Sequence, residues 1–321
     1  MRFKFRLLFN KIILFYCSIK FSLLKKNFSD KNSALSWILL IILSVIWGSS
    51  FILIKRGLEL FSPLEVGSLR IFFAFIILLP FAISRLKYIT KANWKIFAFT
   101  GLVSNLIPSI LFALAQTKID SSLTGILNAL TPLFTVIIAV NFFKYKINFR
   151  QISGIVIGLA GTVLLSFINS SGGLGNLNSY LWLIVLATIC YALNLNFLKY
   201  SLSGIDSLTI TSVALFFSGP VSLMLMPFTD FFSEISFSYE YLFALFCIAL
   251  LGIFGTAIAL ILYTRLIMIS STLFSSSVTY LVPIVAVIWG YLDDEQLFPL
   301  HFAGMALILV GIYFINKSEK L

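Results

Sequence analysis

Acidic residues are scarce in this 321-residue sequence, 12 against 23 Lys and Arg, and none falls near the middle of a long apolar run. A proton-driven pump working through a carboxylate buried in mid-membrane would lack its central group here. Histidine occurs once, at His301, and cysteine three times, at Cys17, Cys190 and Cys247, without a CxxC spacing. Scattered single cysteines give neither a disulfide framework nor a metal-ligand set, and they suit apolar packing. No HExxH, GxSxG or Walker sequence occurs. Zinc-hydrolase, serine-nucleophile and ATP-hydrolysing chemistry therefore have no residues to carry them, and no enzyme, cofactor or metal is expected. Charged residues make up only 11% of the chain, too few to cover the surface of a soluble domain of this length.

Apolar residues fill the gap, at 60% of the sequence. They gather into ten runs, at about 35–54, 66–83, 94–115, 123–143, 152–168, 180–198, 208–228, 241–263, 273–292 and 300–315. Such runs cross a bilayer as helices. The fold expected is an all-α polytopic membrane protein with ten transmembrane helices.

The distribution of cations gives those spans a direction. With the N-terminus inside, the inner segments hold Arg2, Lys4, Arg6, Lys11, Lys20, Lys25, Lys26, Lys31, Arg85, Lys87, Lys91, Lys95, Lys144, Lys146, Arg150, Lys199, Arg265, Lys317 and Lys320. The outer loops hold Lys55, Arg56 and Lys118 alone. That imbalance follows the positive-inside rule and puts both termini in the cytoplasm of a prokaryotic plasma (inner) membrane. The net charge of +11 is thereby a feature of cytoplasmic loops beside membrane lipids and does not call for a nucleic acid. Residues 1–34 form a basic segment interrupted by Asn10, Lys11 and Lys20, read as lying on the membrane surface. An organelle transit peptide is the open alternative.

Two stretches about 150 residues apart share a pattern. Pro132 is followed by Gly154 and Gly161, and Pro283 by Gly304 and Gly311, with the glycines seven residues apart in both. The sequence therefore divides into a first repeat of five helices at 35–168, a linker at 169–179, a second repeat at 180–316 and a tail at 317–321. An odd number of spans per repeat makes the second enter from the opposite side. Two inverted five-helix repeats give two near-equivalent packings, which alternating access requires, with the substrate site between them.

The site candidates follow from polar groups inside the spans. Arg70 is the one cation within a run and reads either as a counter-charge to an anionic substrate group or as half of a structural pair, with Glu65 five residues before it. Pro132 and Pro283 are expected to kink spans four and nine beside polar residues, among them Asn128 and Tyr280. Freed carbonyls at such kinks must face protein or a wet cavity. Trp47 and Tyr191 stand at matching places in spans one and six, each eight residues before a lysine. Lys55 and Arg56 read as snorkelling cations, and Asp293, Asp294 and Glu295 as a solvated outer loop. The glycines of spans five and ten have the spacing of close helix contact.

The segments WGSSF to Lys55, SPLEVGSLR ending at Arg70, SSLTGILNALTPLFTVIIA and STLFSSSVTYLVPIVAVIWG resemble the EamA-like domain of the drug/metabolite transporter superfamily over about residues 36–316. The resemblance implies two inverted copies of that domain and transport of small metabolites such as amino acids, often outward. Members usually carry a Gly-Glu pair after the fourth span; Glu295 keeps the acid in the second copy and Tyr145 replaces it in the first. The function expected is a secondary transporter of small metabolites by alternating access, with an uncoupled channel or facilitator for small polar solutes as the alternative. Its partners are the metabolite and membrane lipid. Monomer and homodimer both stay open.

Overall fold

The computed structural model describes residues 31–91, 93–143, 148–167, 178–202, 204–270, 275 and 278–317. The basic segment before Lys31, Lys144 to Lys146, most of the linker, the tail after Lys317 and the side chains of Lys199 and Tyr280 lie outside the described residues. The chain forms two compact units, residues 1–37 and 38–321. The described part of the first is the helical stretch that opens at Lys31. All contacts below belong to the second.

Every regular element among the described residues is a helix. In chain order they are α1 Lys31–Gly57, α2 Pro63–Arg85, α3 Trp94–Gln116, α4 Ser121–Asn128, α5 Thr131–Phe143, α6 Phe149–Ser166, α7 Leu181–Ser201, α8 Ser207–Leu225, α9 Tyr239–Ile269, α10 Val278–Leu292 and α11 Pro299–Lys317. Seven segments among the described residues are long and apolar enough to cross a membrane, and α4 with α5 counts as one of them. Three further apolar helices are shorter, at Phe149–Leu165, Leu281–Leu292 and Pro299–Gly311. Ile41, Val156, Trp182 and Phe246 are each at least half exposed. Such a belt of bare apolar side chains is fit for lipid and not for water.

Local chemistry sets where the helices start. Before α2, the Ser62 N–H donates to Glu65 Oε2 at 2.7 Å and the Glu65 N–H to Ser62 Oγ at 3.4 Å, with Pro63 opening the helix. This reciprocal cap satisfies two N–H groups that a helix start leaves unpaired. Asn148 and Gln151 form the same box before α6. Asp206 and Ser238 cap α8 and α9.

Pro132 acts differently from the interior kink expected of it. Helix α4 stops at Asn128, and the N–H groups of Ala129 and Leu130 reach back three residues to Ile126 and Leu127. Helix α5 then begins at Thr131, with Pro132 in its first turn, where a missing N–H costs nothing. The span is broken and not bent. Pro283 does lie inside its helix, α10.

The glycines of α6 and α11 bring two backbones together. A Cβ on Gly311 would stand 2.5 Å from the Gly154 carbonyl oxygen, and one on Gly161 would stand 2.7 Å from that of Gly304. Neither position has room for a larger residue, which is the small-residue contact of membrane helices. Helix α1 approaches α10 in the same way, since a Cβ on Gly48 would run into Val285.

Candidate functional site

Two helices leave the α-helical pattern within the membrane, at corresponding places. In α3, residues Leu102–Leu106 form a π turn just after Gly101. In α9, Ile253–Ile258 do so just after Gly252. π turns widen a helix by one residue and frequently mark functional sites. In α9 the Thr256 hydroxyl donates back to the Leu251 carbonyl, five residues away, at 3.3 Å. The Gly255 carbonyl accepts from Trp47 Nε1 at 3.1 Å and from Arg70 Nη2 at 3.4 Å. Arg70 Nε donates to Thr256 Oγ1 at 2.7 Å.

These groups open on a cavity of about 80 Å³. Helix α1 supplies Trp47, Ser50 and Phe51, α2 supplies Arg70, and α3 supplies Ser104, Asn105 and Phe112. Asn128 and Thr131 come from the two sides of the break between α4 and α5. Tyr191 and Asn194 come from α7, Gly255, Thr256 and Tyr263 from α9, and Thr279 from α10. Aromatic rings order the walls. Trp47 meets Tyr263 edge to face at 4.8 Å, and Tyr191 stacks on Phe112 at 5.9 Å.

Four of the five substrate residues expected from sequence, Trp47, Arg70, Asn128 and Tyr191, line this one cavity. The side chain of the fifth, Tyr280, lies outside the described residues. Thr256 and Tyr263 carried no individual signal in the sequence, and a glycine just before each π turn is the only trace of those turns.

The cavity is polar without being satisfied. Asn128 Oδ1, Asn194 Oδ1 and Ser104 Oγ are buried with no hydrogen-bond partner. Each such atom costs about 1–3 kcal/mol unless water or a ligand reaches it. Arg70 is 9% exposed, and among the described residues no acidic side chain pairs with it. Glu65 is not its partner, because that carboxylate is used in capping α2. Lone charges within a membrane protein are expensive and mark functional positions.

A second charged cluster sits at the ends of α1 and α10, and it revises two expectations. Lys55 does not snorkel: its Nζ lies 2.5 Å from Asp293 Oδ2 and 3.0 Å from Glu295 Oε1. Arg56 bridges Asp293 and Glu59. Glu295 is not solvated either, since its side chain is 2% exposed. It accepts from the Ser121 N–H at 3.0 Å, the Ser121 hydroxyl at 2.7 Å and the Ser122 N–H at 3.0 Å, which caps α4. Burial pushes the Glu295 carboxyl up, but hydrogen bonds from Ser122, Ser121 and Lys55 together hold it below the ordinary range. A tight turn delivers it there. Asp294 takes the left-handed conformation, φ 57°, and the Glu295 N–H closes on the Gly290 carbonyl at 2.9 Å.

The model of the EamA-like transporter family matches residues 35–167 and again 178–317, so the chain belongs to that family. It is 27% identical to an "Uncharacterized transporter" of Archaeoglobus fulgidus over 88% of this chain and 99% of that one. It is 26% identical to the "Uncharacterized inner membrane transporter YedA" of Escherichia coli over 87% and 90%. A chloroplastic WAT1-related protein of Arabidopsis thaliana is 26% identical over 90% of this chain and 71% of its own length. A solved crystal structure superposes with a TM-score of 0.60 over 89% of this chain and 97% of that one, at 14% identity, a likeness of fold alone. The protein is an integral membrane transporter and not an enzyme.

Proposed function

We propose that the protein is a secondary transporter that moves small metabolites by alternating access, built as ten membrane spans in two inverted five-helix repeats. One observation carries the reading. The cavity takes Trp47, Arg70 and Asn128 from the first matched half and Tyr191, Thr256 and Thr279 from the second. A site shared between two repeats changes its access when one repeat tilts against the other. Paired π turns and a broken span beside the site support this, because irregular backbone at membrane depth is tolerated where it borders a cavity.

The seven long segments, together with three shorter apolar helices, support a count of ten. Helices α6 and α11, of 18 and 19 residues, reach about 27–29 Å at 1.5 Å per residue, close to the hydrocarbon thickness. The cation distribution supports cytoplasmic termini, and the likeness to an inner membrane transporter of Escherichia coli supports a prokaryotic plasma membrane.

The test has two stages. Metabolites released by cells with and without the protein are compared, and the compound that differs is then followed in proteoliposomes. Saturable flux accelerated by unlabelled compound on the far side is expected. A linear flux without such acceleration would describe a pore and overturn the reading.

A further inference from the structure

We infer that the cavity is built for a short organic monocarboxylate that also carries a hydrogen-bond donor. The inference rests on the transporter reading, because it takes this cavity as the substrate site.

Charge is the first argument. Arg70 brings one full positive charge, and no Asp or Glu lines the cavity. Its bonds to Thr256 and Gly255 use two of the five guanidinium N–H groups. The remaining three are free to meet a carboxylate, which the planar fork binds with two parallel hydrogen bonds. One cation neutralises one negative charge. A doubly charged phosphate or dicarboxylate would bring a second charge into apolar surroundings with nothing to balance it.

The unpaired acceptors are the second argument. Asn128 Oδ1 and Asn194 Oδ1 are buried and unpartnered at the wall, and Asn128 is only 6% exposed. Amide oxygens accept from a hydroxyl or an ammonium group. A plain fatty acid would leave both unsatisfied, whereas a hydroxy acid has one donor for one of them and an amino acid's ammonium group has enough for both.

Size is the third. A cavity of about 80 Å³ holds roughly five to eight water-sized bodies at 10–15 Å³ each. A small carboxylate suits that space better than a long acyl chain does. Trp47, Phe51, Tyr191 and Tyr263 leave apolar wall for those carbons.

The test measures binding in place of transport. The purified full chain in detergent is titrated with L-lactate, L-alanine, lactamide and inorganic phosphate, and affinity is read by calorimetry. At least one of the two monocarboxylates should bind. Lactamide, which has the shape of lactate without its charge, and phosphate should each bind at least tenfold more weakly. Arg70→Gln should weaken the carboxylate roughly 10- to 100-fold, to the level of lactamide, and Arg70→Lys should restore part of the loss. A role confined to bracing α9 would not separate lactate from lactamide. Lactamide or phosphate binding as tightly as the monocarboxylate that binds, binding of neither monocarboxylate, or a folded Arg70→Gln protein with unchanged affinity would each overturn the inference. Should Arg70→Gln not fold, the ratio of lactate to lactamide on the unaltered protein decides. Lactate binding without accelerated exchange in proteoliposomes would overturn the transporter reading and leave this one standing. Accelerated exchange of some other compound, with no carboxylate bound, would do the reverse.

Discussion

The protein handles charge in two opposite ways. At the ends of α1 and α10, Lys55 and Arg56 meet Asp293, Glu295 and Glu59, and the most buried carboxylate, Glu295, is fully engaged. In the cavity Arg70 is more buried than either of those cations, and among the described residues it bonds to a hydroxyl and a carbonyl alone. Charges that hold a structure together bring their counter-ions with them. A charge left without one in a low-dielectric wall is destabilising until a partner arrives. The cluster therefore ties the two matched halves at one end, through residues some 240 positions apart, whereas Arg70 is the cation that the proposed monocarboxylate would pair with.

That contrast can be broken from either side. The largest change should come from giving the cavity its own acid. Asn128→Asp would place a carboxylate in the same wall as Arg70. Lactate binding should fall at least tenfold, as read by calorimetry, while thermal stability holds or rises. If lactate still bound as before, Arg70 would not be the group that reads the ligand.

Next comes the cluster. Glu295→Gln keeps the shape and removes the charge, and should cost about 2–3 kcal/mol in thermal unfolding, as charge-assisted bonds to a buried carboxylate do. Acid should mimic it. The folded carboxyl titrates below its unfolded value of about 4.3. Its contribution is therefore complete above that pH and is lost as the pH falls through the lower folded value. The unaltered protein should lose stability below about pH 4 more steeply than Glu295→Gln, and parallel pH profiles would refute the tie. The smallest change belongs to the rim. Glu59 is half exposed, and Glu59→Gln should shift stability by less than about 0.5 kcal/mol. A loss comparable to that of Glu295→Gln would show that the whole network and not its buried core does the holding.

Much of this was legible in the sequence, where the signal was local or summed over many residues. Apolar runs outlined the membrane segments, and the glycines at positions 154, 161, 304 and 311 marked α6 and α11 for close helix contact without saying that each is the other's partner. Trp47, Arg70, Asn128 and Tyr191 stood out as polar or amphipathic residues inside apolar runs. Reading failed where the partner was remote or the backbone irregular. Nothing near Lys55 announces that Asp293 and Glu295 fold back onto it. The left-handed turn at Asp294 that aims Glu295 at α4 is a property of φ, which a lone Asp does not reveal. Proline at position 132 suggested a kink because proline inside a helix makes one. The chain ends one helix and starts another there, and proline is at home in a first turn. Ser62 and Glu65 before an apolar run are the signature of a capping box, and that had already given Glu65 an occupation other than pairing with Arg70.

The π turn of α9 has a further consequence. Five or six residues there span what a regular helix covers with one fewer, so α9 carries a surplus residue at the level of the cavity. Drawing that residue out, by sliding it along the helix or by losing it, advances everything beyond by 1.5 Å and turns it by about 100°. Tyr263 lies beyond the turn, whereas Trp47, its edge-to-face neighbour, stands on α1 and would stay put. A helix with slack in its winding can rotate one ring out of a cavity wall without moving its near end, and the matching turn in α3 gives that helix the same freedom.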